Sequence, residues 1–305
     1  MSDRHVTFAN HLGRMLKERY PDKDYYVTIL AYGNSTWPPV AAVPEDNVLV
    51  QSVHSFHRTH GVHPRTGVDQ RKAFMDYAKV ADRFVWRPNI GQGSGWHIGK
   101  PSAAPRRAIE DLRLAADNEV MGLWLDSIFG HWANQGLHYY MLAQLAWNPR
   151  ADGETILDDY LSRAYGPAAG TMRAYWELVE QTTLAMTMDN KPESEVWDGA
   201  FHQRANEYLD RANAELGAAP AKYAQRVAFA RAGLKYLRLL QENETLVKRW
   251  RESGNQDTEA RDAAIANWEQ VEALMKDHPH MLNPSYMNPK GQRFLGVFYP
   301  DSQNQ

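Results

Sequence analysis

The chain has 305 residues, 43% hydrophobic and 23% charged, which is enough to bury the core of one large domain or two modest ones. Its net charge of −3 offers no broad basic surface to nucleic acid or anionic lipid, and the absence of cysteine excludes disulfides, thiolate nucleophiles and metal–thiolate centres. No run of about 18 apolar residues could span a membrane, and Met1-Ser2-Asp3-Arg4-His5 lacks the apolar segment of a signal peptide.

The first 136 residues read as alternating helices and strands. Residues 2–20 have helical spacing, with Phe8, Leu12 and Leu16 on one face and Ser2 or Asp3 as a cap. Residues 25–32 (YYVTILAY) are almost continuously apolar, as a buried parallel strand should be. A loop with Gly33, Pro38 and Pro39 leads to a second strand at 47–53. Residues 68–82 form a helix with Phe74, Tyr77, Ala78 and Ala81 on one face, and 83–86 a short third strand. A glycine-rich loop, a helix at 105–117 and a strand at 120–125 complete the alternation. This order predicts parallel β/α architecture.

After residue 136 the pattern is helical: 137–147, 155–165, 168–188, 196–216, 221–253 and 257–278. Prolines near starts and glycines near ends punctuate them. Tyr236, Leu239, Leu240, Leu246 and Trp250 mark a core-facing stripe, and 294–299 is a strand or an apolar strap. The expected division is 1–136 as a partial β/α barrel, 137–280 as a helical domain and 281–305 as a tail. A closed barrel needs eight strands, and the chain supplies four. Half a barrel leaves two edge strands and one sheet face to be covered by preceding chain, a second copy or the helices.

The loops after the strands, where β/α barrels carry their sites, hold Tyr32, Asn34 and Trp37, then His54 and His57, then Trp86, Arg87, Asn89 and Trp96, then Asp126, His131, Trp132 and Asn134. Six of the ten tryptophans lie between residues 37 and 147, which makes an aromatic cluster across four strand ends. Flat rings stack on sugars while Asn, His and Arg bond hydroxyls, so a carbohydrate ligand is expected. Asp126 is the carboxylate immediately after a strand. It suits a general base, nucleophile or hydroxyl clamp, and equally a loop cap or an ion pair with Arg87.

His54, His57, His60 and His63 recur every third residue, which does not fit the i, i+4 pairing of helical zinc motifs, so no metal is expected. Gly91-Gln92-Gly93-Ser94-Gly95 lacks the GK[ST] ending of a phosphate loop and reads as a mobile substrate loop. No cofactor, nucleic acid or membrane partner is implied.

Three runs resemble a bacterial family, domain of unknown function 4838: 117–126 (DNEVMGLWLD), 135–149 (QGLHYYMLAQLAWNP) and 164–169 (AYGPAA). Ser2-Asp3-Arg4 with Phe8-Ala9-Asn10, and Tyr20-Pro21-Asp22-Lys23 with Leu30-Ala31-Tyr32, extend the likeness over roughly residues 2–180. That family is similar to α-glucuronidase and β-hexosaminidase barrels. The resemblance implies α/β plus α architecture: the C-terminal half of a TIM-type barrel, about four β/α units, followed by helices. It also implies a glycoside-hydrolase-like activity, with Asp126 matching an acidic residue after the last strand. The other acid and the first four strands would lie in a preceding segment, so either that half-barrel or a homodimer would complete the unit.

Overall fold

A computed structural model describes residues 1–56, 69–89, 98–126, 128–189 and 191–285. It opens with helix α1 (Ser2–Arg19), which buries Ser2, Val6, Ala9 and Gly13. This is not the expected Phe8–Leu12–Leu16 face, and Phe8 is 63% exposed. The reason is close approach: a Cβ on Gly13 would stand 2.6 Å from the Asn47 side chain, which itself donates to the Gly13 carbonyl at 2.9 Å. Only the small-residue stripe fits there. Asp3 does not cap the helix. Its carboxylate accepts from the backbone N–H groups of Val40, Ala41 and Ala42, which hold its pKa down to about 2 and tie the first loop to α1.

Four parallel strands follow in sheet order β1 (Val27–Ala31), β2 (Val48–Ser52), β3 (Phe84–Trp86) and β4 (Gly122–Leu123). Helix α2 (Gln70–Ala78) precedes β3, and α3 (Pro105–Asp117) links β3 to β4. β4 is shorter than the expected 120–125: only Gly122 and Leu123 pair with β3. Val48, Val50 and Ser52 are buried while Leu49 and Gln51 are half-buried, and Phe84 and Trp86 are buried around half-buried Val85. The buried set meets Phe74, Tyr77 and Leu112 of the helices. The opposite face is open, and among the described residues the sheet does not close into a barrel.

A long helical segment completes the chain: α4 (Trp132–Trp147), α5 (Gly153–Tyr165), α6 (Ala169–Thr187), α7 (Glu193–Val196), α8 (Gly199–Glu215), α9 (Ala221–Glu252) and α10 (Thr258–Asp277). Asp152, Asp198 and Asp257 cap α5, α8 and α10 through the amides of Glu154, Phe201 and Ala260. α4 starts five residues before its expected position at 137. Residues 133–139 are all buried, so this turn shows no polar face from which to read a helical period.

One hydrophobic cluster runs from Ala31, Val50 and Trp86 through Leu112, Leu137 and Met141 to Tyr175, Leu209 and Leu237. It crosses the change in sequence character at 136/137 without a break. A second cluster joins α9 and α10 through Tyr236, Leu239 and Val271, with Met281 and Leu282. Buried Lys100 pairs with Glu193 and Glu244 and lies over the Trp197 ring, fastening the segment before α3 to the helices. No helix among the described residues is long and apolar enough to cross a membrane. The expected strand at 294–299 lies outside the described residues.

Candidate functional site

The strand ladders continue one residue past each strand: Val53 N–H donates to Ala31 O, Arg87 N–H to Ser52 O and Trp124 N–H to Trp86 O. The registers pair Ala31 with Ser52, Ser52 with Trp86 and Trp86 with Leu123. The next row along is therefore Tyr32, Val53, Arg87 and Trp124. Side chains alternate between faces along a strand. Ala31, Ser52 and Trp86 turn toward the helices, so Tyr32, Arg87 and Trp124 turn to the open face at the C-terminal ends of the strands. Two residues on, Asn89 and Asp126 form an isolated parallel bridge, which puts Asp126 on the same face as Trp124.

Arg87 is the centre of this row. Its guanidinium lies 5.4 Å over the Trp124 ring and bonds the Asp126 carboxylate at 2.9 Å. The ion pair alternative raised by the sequence is thus formed. Both partners keep some solvent contact, so the pair contributes little to stability, and it fixes the orientation of the guanidinium. Trp124 is 54% exposed and Tyr32 56% exposed. The row offers two exposed aromatic rings, a fixed cation and a carboxylate. These groups can stack on a flat apolar face and bond hydroxyl or acidic groups beside it.

The other expected site residues divide by burial. Asn34 and Trp37 are exposed in the loop after β1, where the Lys72 ammonium stands 5.7 Å from the Trp37 ring. Trp132 is exposed in the first turn of α4, edge-on to Tyr139. His54, Trp86 and Asn134 are buried, and each is bonded to the protein itself. His54 bridges Ser52 Oγ and the Thr36 carbonyl, and burial pushes its imidazole down to about 4. Trp86 Nε1 donates to the His54 carbonyl while its ring stacks on Phe56 at 4.8 Å. Asn134 Nδ2 donates to the carbonyls of Gly99 and Gly233. For Trp86 the physical reason is alternation: Trp86 and Arg87 are neighbours at a strand end, so one faces the core when the other faces out. Asn134 lies in α4 where α9 closes on it at Gly233. His57 and Trp96 lie outside the described residues, as do His60, His63 and Gly91 to Gly95.

Sequence reading missed Trp124, which it absorbed into a buried strand. The usable signal is the two-residue step from Trp124 to Asp126. Among the described residues no three His, Asp or Glu side chains come together as a metal-binding group.

The model of a family described as domain of unknown function (DUF4838) matches residues 1–177. The chain belongs to this family. The DUF4838 segment contains the four strands, the row Tyr32–Arg87–Trp124 and Asp126, and it continues through α4 and α5 into α6. Its end inside α6 agrees with a core that joins the sheet to the first helices. No curated protein and no solved structure matches the chain. Its mixed α/β architecture is of a kind that enzymes use.

Proposed function

We propose that this chain is a carbohydrate-active protein, the glycoside-hydrolase-like C-terminal half of a β/α barrel that takes a plant or bacterial oligosaccharide. One observation supports the reading: Tyr32, Arg87 and Trp124 stand in one row at the C-terminal ends of parallel strands, with Asp126 beside them. This is the end at which β/α barrels hold substrate. In this reading the exposed rings of Tyr32, Trp37, Trp124 and Trp132 stack on sugar faces. Arg87 and Asn34 bond hydroxyl or carboxylate groups, as a uronic acid offers; hexosamines are the second class that the family resemblance suggests. Asp126 is the catalytic or clamping carboxylate.

Glycoside hydrolysis ordinarily takes two carboxylates. The strand ends supply Asp126 among the described residues, so the second acid would come from a completing half-barrel. The same observation favours a second reading, a glycan-binding or scaffold module without turnover. Calorimetric titration with uronic-acid- and hexosamine-containing oligosaccharides separates them. Saturable binding, weakened about tenfold in Trp124→Ala, is expected. Turnover that vanishes in Asp126→Asn selects the hydrolase, and binding without turnover selects the module. No binding by the parent, with both variants indistinguishable from it, would overturn the proposal.

A further inference from the structure

The loop between β1 and β2 carries three of the exposed site residues, Tyr32, Asn34 and Trp37, yet its backbone is pinned to the rest of the fold. Three successive carbonyls each accept a hydrogen bond from a different element. Tyr77 Oη, in α2, donates to Ser35 O at 2.8 Å. His54 Nε2, just past β2, donates to Thr36 O at 2.8 Å. Ser2 Oγ, at the start of α1, donates to Trp37 O at 2.5 Å. From within, the one Ser35 hydroxyl proton is shared between the carbonyls of Leu30 and Tyr32, 3.0 and 2.9 Å from Oγ.

The tautomer of His54 follows from its partners. A carbonyl only accepts, so Nε2 carries the hydrogen. In a neutral ring Nδ1 is then an acceptor, and the Ser52 hydroxyl 2.6 Å away donates to it. His54 itself is fully buried, its ring packed on those of Phe74 and Tyr77. Ordinary surface loops bond to water and move. This one is tied to three elements while its aromatic side chains stay in solvent, an arrangement that lowers the ordering cost of binding.

We infer that the Tyr32–Trp37 loop is a preorganised aromatic platform for the sugar ligand, and that His54, Tyr77 and Ser2 are the positioning residues that hold it. The inference rests on the carbohydrate reading for the identity of the ligand, and on the three carbonyl bonds for the positioning.

The test uses the full chain with Tyr77→Phe, which removes one oxygen and keeps the buried ring, and with Ser2→Ala as a second variant. Backbone amide exchange at residues 33–37 is expected to quicken about tenfold in Tyr77→Phe, the equilibrium equivalent of one such bond, while amides of β2 and β3 hold their rates. Affinity for a glucuronate-containing oligosaccharide should fall by a similar factor, and saturating ligand should return the loop amides to slow exchange. Unchanged loop exchange, or a rise spread evenly over the core, would overturn the positioning role. A loosened loop with unaltered affinity would overturn the platform. If the parent binds no oligosaccharide, the carbohydrate reading fails and the platform with it, while the exchange data still decide the positioning.

Discussion

Burial sets the charge state of several side chains. His54 and His138 are buried, and burial pushes each imidazole down to about 4, so both are neutral in the folded chain across the physiological range. An unfolded chain takes up those protons near pH 6.5. Their contribution to stability is therefore complete above pH 6.5 and is lost as pH falls toward 4, about 3 kcal/mol for each histidine. Asp111 runs the other way. Burial raises its carboxyl to about 7 despite Arg107 at 3.2 Å, so its contribution is lost as pH rises from about 4 to 7. Glu180, also raised by burial, acts in the same sense at the acid end. The expected profile of melting temperature climbs from pH 4 to a maximum near 6.5. His54→Gln should flatten the climb by about one proton. A maximum below pH 5 would contradict this assignment of neutral histidines.

At the scale of elements, α4 and α9 pack closely at Gly233. A Cβ on Gly233 would stand 2.2 Å from Asn134 Oδ1 and 3.1 Å from the Ala133 Cβ. Gly233→Ala would force Asn134 aside and break its bonds to Gly99 and Gly233. The expected loss is about 1–3 kcal/mol in urea unfolding, although alanine is the better helix former. A neutral or stabilising result would mean that the two helices can part.

Elements with one buried and one wet face were legible in the sequence. The helices α2, α3, α5 and α8 to α10 lie close to their expected places because their apolar period is clear, and β1 to β3 because they are short apolar runs, although β1 exposes Thr28 and Leu30 rather than being buried throughout. Legibility failed where burial was total or sterically selected. α4 is buried on every side of its first turns, and α1 packs through Gly13 rather than through Phe8. The site was legible as a set of residue types at strand ends. Which members face out is decided by register, and alternation separated Arg87 and Trp124 from Trp86; past β2 both Val53 and His54 are buried.

For the whole molecule, the sheet's open face and its edges bear on association. β1 and β4 each lack a strand neighbour on one side among the described residues, and Leu30, Tyr32 and Trp124 are exposed on the open face. Unpaired parallel edges beside apolar side chains favour association. Light scattering in the micromolar range should show a mass above that of the monomer, and Leu30→Lys should lower it without changing the far-ultraviolet circular dichroism. A monomer at every concentration would show that the open face is tolerated in water.

The uninterrupted cluster from Ala31 to Leu237 has a thermodynamic consequence. The sequence pattern changes near residue 136, but among the described residues this cluster crosses that point without a seam at which melting could pause. Calorimetry should give a single endotherm for strands and helices together, with van't Hoff and calorimetric enthalpies equal. A fragment cut at 136 would bare the surfaces that Leu137, Met141 and Leu145 now cover. Truncation is thus expected to yield insoluble product rather than a miniature of the sheet.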